Sequence, residues 1–283
     1  MYWKAIMSVR RPKAQRLVRR GKRPVVALSE RDIELLTLVA LVRYLSLTQA
    51  AREFFPSLDR ARRRVRRLFD AGYLGITLTA STAPNLLSLT RTGLSAVLER
   101  VPARLGDHLR LAGPIRLAGV KHRLAITDTR LFAAQFGIAH GTPLTRWSNA
   151  GGELARERGL DALHLDPDGV AEFAGNRFLA AEIDCSTEAL GVLRTKLGRY
   201  AAAAASGRLQ GMWLVLLGGI ERRDNLRALI HEAGLSGWAF VLSHDQVLSR
   251  PVIAPDEPTL AAPPGLGTPR SLNTPHASRE ART

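Results

Sequence analysis

Residues 166–184 read DPDGVAEFAGNRFLAAEID, and the reading of this stretch decides the class of the second half of the chain. Two short apolar runs flank AGN, whose Gly and Asn suit a tight turn, so the stretch predicts a β-hairpin. Alternation along RFLAAEIDC puts Leu179, Ala181, Ile183 and Cys185 on one face and Phe178, Ala180, Glu182 and Asp184 on the other. Acids at the end of an otherwise apolar strand are costly unless they are paired or bound to a cation, and a hard divalent ion such as Mg²⁺ or Mn²⁺ seeks such oxygen ligands. Asp168, entering the partner strand after Pro167, supplies a third carboxylate. The expected metal set is therefore Asp168, Glu182 and Asp184. The plain alternative is that these carboxylates are the solvated ends of a hairpin.

Outward from the hairpin, TEALGVLRTKLGRYAAAAA and NLRALIHEAG carry helical patterns, and MWLVLLGG and WAFVLS read as strands. Upstream, KHRLAITDTRLFAAQFG is a helix candidate and TRWSNAGGELARE leads into the hairpin through Trp147 and Glu153. The order α-β-β-α-β-α-β predicts an α/β domain over residues 121–250 in which the hairpin and the crossover strand share one sheet. Residues 251–283 hold seven of the chain's 15 prolines and are expected to be disordered. No apolar run approaches the roughly 20 residues of a spanning helix, and residues 1–28 lack the compact apolar core of a signal peptide.

The N-terminal part has a different character. Residues 1–120 hold 23 of the 41 Lys+Arg but only 8 of the 25 Asp+Glu, within a formal net charge of +16. Such a basic block is the electrostatic footprint of a polyanion binder. A membrane surface fits poorly, because no amphipathic helix opposes these charges with a broad apolar face. Residues 1–28 contain nine Lys or Arg and no acid, and read as a flexible basic arm. Ser29 and Asp32, and then Ser46 and Gln49, have capping-box spacing ahead of two helices. A third helix, RARRRVRRLFDAG, closes at Gly72, and GITLT and NLLSLT follow as strands around the tip STAP. Three helices followed by a hairpin, over residues 29–100, is the order of a winged helix-turn-helix. Residues 101–120, broken by Pro and Gly, form a linker.

In the third helix the apolar stripe is Ala61, Val65, Leu68 and Phe69. Arg63, Arg66 and Arg67 point away from it, flanked by Arg60 and Arg64. These five arginines are the expected DNA contacts, against the bland reading of a solvated face. Aromatics make up only 6% of the chain, which favours double-stranded over single-stranded DNA. The single cysteine, Cys185, fits a reducing, cytoplasmic compartment. His122, His140, His164, His231 and His244 show no zinc-site spacing.

An Asp on one hairpin strand, then Glu-x-Lys on the next with a helix behind, is the spacing of PD-(D/E)XK nucleases. Here Asp168 and Glu182 match, but Asp184 stands where the motif has Lys. Lys196 is the candidate substitute, completing a catalytic set of Asp168, Glu182 and Lys196. It lies two turns into its helix, roughly 12 Å along the axis, a span its side chain only partly recovers. Glu153 is either a further ligand or a helix-face acid.

As an ensemble the chain resembles the replication-relaxation family of bacterial plasmids and mobile elements. The resemblance rests on LSERDIELL, FPSLDRARRRVRRLFDAGYL, SLTRTGLSAVL, HRLAITD and PDG…AEIDCSTEAL…KLGRY. It implies a winged helix joined to a restriction-endonuclease-like α/β domain, acting on element DNA in replication, relaxation or conjugative transfer. The partners it implies are double-stranded DNA and relaxase or replication proteins, with a homodimer as one arrangement. Two rival readings are a winged-helix transcription regulator whose α/β domain dimerises or binds a ligand, and an assembly factor that cuts nothing.

Overall fold

The computed structural model describes residues 15–17, 21, 23–78, 84–106, 109–113 and 119–249. The rest of the basic arm, the expected hairpin tip apart from Pro84, and the proline-rich tail lie outside the described residues. The protein is mixed α/β, with two sheets among the described residues, and it divides between Asp128 and Thr129 into two compact units.

The first unit contains β1 (Gln15–Arg16), α1 (Glu30–Val42), β2 (Leu45–Ser46), α2 (Leu47–Phe54), α3 (Leu58–Asp70), β3 (Leu74–Leu78), β4 (Leu86–Leu89), α4 (Arg91–Leu98), α5 (Ala103–Gly106) and the start of α6 (Val120–Ala139). Local chemistry sets the helix ends. Both capping boxes form: the Ser29 hydroxyl accepts from Asp32 N and the Asp32 carboxylate from Ser29 N, and Ser46 and Gln49 repeat the exchange. At the end of α3, Tyr73 N donates to Leu68 O and Gly72 N to Phe69 O, both at 3.0 Å, with Gly72 at φ 93°. This is a Schellman stop, which requires the left-handed conformation that glycine adopts without strain. Ala61, Val65, Leu68 and Phe69 are buried as the helical spacing predicts, and α3 packs against α2 and β3.

The four-stranded sheet of this unit runs β1-β3-β4-β2 and is antiparallel throughout. Two of its strands escape the sequence pattern. β2 is only two residues long, and β1 lies within the stretch expected to be a free arm, where it pairs Gln15 with Leu78 and Arg16 with Thr77. Pairing through main-chain groups leaves no mark on side-chain periodicity.

In the second unit α6 is followed by β5 (Leu144–Asn149), α7 (Glu153–Glu157), a 3-10 turn (Asp161–Leu163), β6 (Gly169–Phe173), β7 (Arg177–Asp184), α8 (Leu190–Ala205), β8 (Gly211–Leu216), α9 (Ile220–Glu232), β9 (Ala239–Ser243) and α10 (His244–Leu248). The sheet order is β5-β6-β7-β8-β9, antiparallel from β5 to β7 and parallel from β7 to β9. The hairpin turns through Gly175 and Asn176, at φ 84° and 58°. On one face of the sheet, Phe178, Ala180, Met212 and Leu214 share a core with Leu193 and Leu197 of α8 and Leu226 and Leu229 of α9. Trp213 packs edge-on against Phe132, Phe136 and Phe173, with ring centroids 5.5, 5.4 and 6.0 Å away. β5 is an addition to the expected order. Its sequence LTRWSN is half exposed and lacks the apolar alternation of a core strand, as suits a strand that, among the described residues, lies at the sheet edge beside β6. Glu153 opens α7 as an exposed residue.

Candidate functional site

The pairing of Gly169 with Ala181 carries Asp168 to the position opposite Glu182, on the sheet face that α8 covers. Asp168 Oδ2 accepts from Ile183 N at 2.8 Å, which ties the entry of β6 to the end of β7. Gly169 is needed for a separate reason. A Cβ there would meet Trp147 Cζ2 at 2.2 Å, so only glycine lets the indole lie against the start of β6, beside Asp168.

Lys196 Nζ stands 2.6 Å from Glu182 Oε2. The helix begins at Leu190, so Lys196 lies about 9 Å along its axis and not the roughly 12 Å expected, and its direction closes the rest of the gap. Because β7 and β8 are parallel, α8 must run back along the sheet, and two turns of return bring Lys196 over Glu182. Tyr200, four residues further on the same helix face, donates its hydroxyl to Glu182 Oε1 and is 1% exposed. Sequence reasoning did not single out Tyr200. Its signal was present: Lys196 and Tyr200 lie at i, i+4 spacing on the stripe that also holds Leu193, Leu197 and Ala203.

Burial pushes the Glu182 carboxyl up to about 7, opposed by the Lys196 ammonium and reinforced by the negative charge of Asp168. Burial alone would lower the Lys196 ammonium, but the charge and hydrogen bond of Glu182 outweigh it and raise the group above its ordinary value. Burial, followed by the Glu182 charge, raises the Tyr200 phenol well above its ordinary value, so it remains a donor. The cluster thus offers two neighbouring carboxylates, a held ammonium and a protonated phenol.

Asp184 leaves this group, which corrects the expected set of three acids. It lies two residues further along the same strand face, where the first turn of α9 supplies Arg222. Arg222 Nε reaches Asp184 Oδ2 at 2.7 Å and Nη2 reaches Oδ1 at 3.1 Å, a fork-to-fork pair, while Ser186 N donates to Oδ1 at 2.9 Å. Among the described residues no group of three or more His, Cys, Asp or Glu is gathered for a metal. Two carboxylates still suit Mg²⁺ or Mn²⁺, because small hard cations keep several waters and take only one or two protein carboxylates beside a phosphate.

In the first unit, Arg60, Arg63, Arg66 and Arg67 of α3 are exposed, together with Arg62. Arg62 pairs with Asp59 at 2.8 Å and Arg66 with Asp70 at 2.9 Å, both on the surface. Exposed pairs of this kind contribute about 0 to 1 kcal/mol and yield readily to a phosphate. Arg64 behaves differently from the flanking DNA contact expected of it. It turns inward, where Nε donates to Asp32 Oδ1 at 2.8 Å, Nη2 also contacts that carboxylate, and Nη2 donates to Ala27 O at 2.9 Å. Asp32 is fully buried and no other cation is described against it, so Arg64 is held as its counter-charge.

The family profile described as replication-relaxation matches residues 36–214. No curated protein and no solved structure matches the chain.

Proposed function

The chain belongs to the replication-relaxation family, and on that premise we propose that it binds double-stranded DNA of a plasmid or mobile element and acts in its replication, relaxation or transfer. In this reading α1, α2, α3 and the β3–β4 hairpin form a winged helix whose third helix meets the duplex. The exposed face of Arg60, Arg63, Arg66 and Arg67 supports it, since each guanidinium can neutralise a phosphate or pair with a guanine edge.

The second unit is proposed to be a PD-(D/E)XK-like nuclease domain. The observation that carries this is Lys196 Nζ at 2.6 Å from Glu182, with Asp168 across the strand pair. Asp168 and Glu182 would hold the Mg²⁺ or Mn²⁺. When bound, that cation polarises the phosphodiester and lowers the pKa of an attacking water. Lys196 takes the role that the motif gives to the lysine two residues after the glutamate: its ammonium faces the negative charge that grows on the non-bridging phosphoryl oxygens. Arg222 neutralises Asp184 at the position where the motif has Lys and keeps that acid from repelling the phosphate.

Nicking of supercoiled plasmid tests the proposal. The wild-type chain should nick in Mn²⁺ and not in chelator, with Asp168→Ala abolishing cleavage and Lys196→Ala reducing it by about a hundredfold or more. Both variants should still bind duplex DNA. Duplex binding with no metal-dependent cleavage would refute the nuclease and leave the regulator and assembly-factor readings.

A further inference from the structure

Glu182 is held at both oxygens by one helix: Lys196 at Oε2 and the Tyr200 hydroxyl at Oε1. A single contact would leave the carboxylate plane free to turn about the Lys196 hydrogen bond, whereas contacts at two oxygens fix it. The Tyr200 ring is already justified by packing, since it lies in the core shared with Leu197 and Leu214 and tilts toward Trp238 at 6.4 Å between centroids. A phenylalanine would fill the same space without bringing a hydroxyl that must find a partner. The hydroxyl therefore acts on Glu182 rather than on the core.

We infer that Tyr200 is a positioning residue for a divalent cation, its hydroxyl fixing the Glu182 carboxylate so that the remaining lone pairs serve a cation shared with Asp168. The inference rests on the reading of Asp168 and Glu182 as ligands. Groups that orient a ligand in this way are worth about tenfold to a hundredfold in metal affinity.

The test uses the full chain and Mn²⁺ alone, with affinity read from the free-ion electron paramagnetic resonance signal. Tyr200→Phe should bind Mn²⁺ about tenfold more weakly or worse, and the spectrum of the bound ion should change. The metal-free Tyr200→Phe chain should keep a cooperative melt, lowered by no more than the lost hydrogen bond costs, so that the affinity loss reports on the site and not on unfolding. Restoring the hydroxyl as 3-fluorotyrosine at position 200 should restore affinity, and bound Mn²⁺ should broaden its fluorine resonance. If Tyr200→Phe does not fold, that broadening decides: its absence overturns the inference. A Phe variant with wild-type affinity and spectrum overturns it as well, while leaving the ligands standing. Wild-type protein that binds no Mn²⁺ overturns the ligand reading and the inference together.

Discussion

Asp32 in the first unit and Glu182 in the second are both buried carboxylates, 0% and 7% exposed, each met by a cation from a neighbouring helix, yet their surroundings push their pKa values in opposite directions. At Asp32 burial works to raise the carboxyl, but the forked Arg64 guanidinium and the two Ser29 donors outweigh it and hold it below its ordinary value. At Glu182 burial wins and lifts the group to about 7, because its cation is a single ammonium and Asp168 adds a second negative charge. The difference teaches how to separate a structural acid from a reactive one. An acid saturated by a fork and a cap is finished, whereas an acid beside another acid keeps a demand for positive charge that a divalent cation can meet.

The largest expected effect comes from breaking the structural pair. Arg64→Ala leaves Asp32 buried and unpaired, and should destabilise the first unit by about 3–5 kcal/mol, read from its urea midpoint. The pH dependence sharpens the contrast, because the two acids contribute with opposite sign. Asp32 titrates below its ordinary 3.8 in the folded chain, so its stabilisation is complete above that value and is lost as pH falls. Glu182 titrates at about 7 instead of 4.5, so its contribution is complete below 4.5 and is lost as pH rises toward 7. Glu182→Gln should therefore flatten a decline in second-unit stability of about 3 kcal/mol across that window, followed by thermal melting from acid to neutral pH. An unchanged slope in the variant would place the titrating group elsewhere. The smallest effect on stability belongs to the exposed arginines. Arg63→Ala, Arg66→Ala and Arg67→Ala together should leave melting nearly unchanged, while the salt slope of duplex binding falls by about 0.9 per lost phosphate contact.

Much of this was legible in the chain. Ser29, Asp32, Ser46, Gln49 and Gly72 act through local spacing, and each does in the fold what that spacing predicts. The strand β7 also shows its two faces by alternation in the sequence, which places Glu182 and Asp184 on one side. Partner choice was not legible, because it depends on which element returns over which strand. Nothing local says that Arg222, 38 positions from Asp184, would claim it, or that Arg64 would turn from the surface to Asp32. Lys196 was recognised but misjudged in reach, since helix direction follows from the parallel pairing of β7 and β8 and not from residue count. β5 stayed hidden because an edge strand buries too little to need an apolar period.

The claim on which the rest depends is that Asp168 and Glu182 together hold a divalent cation, and the thermal shift of the second unit in Mn²⁺ tests it most directly. Binding to the folded state at a hundred times the dissociation constant should stabilise it by about 2.7 kcal/mol, and the gain should vanish in Asp168→Ala and in Glu182→Gln while surviving in Asp184→Asn. No shift at millimolar Mn²⁺, or a shift that persists without Asp168, would contradict the account.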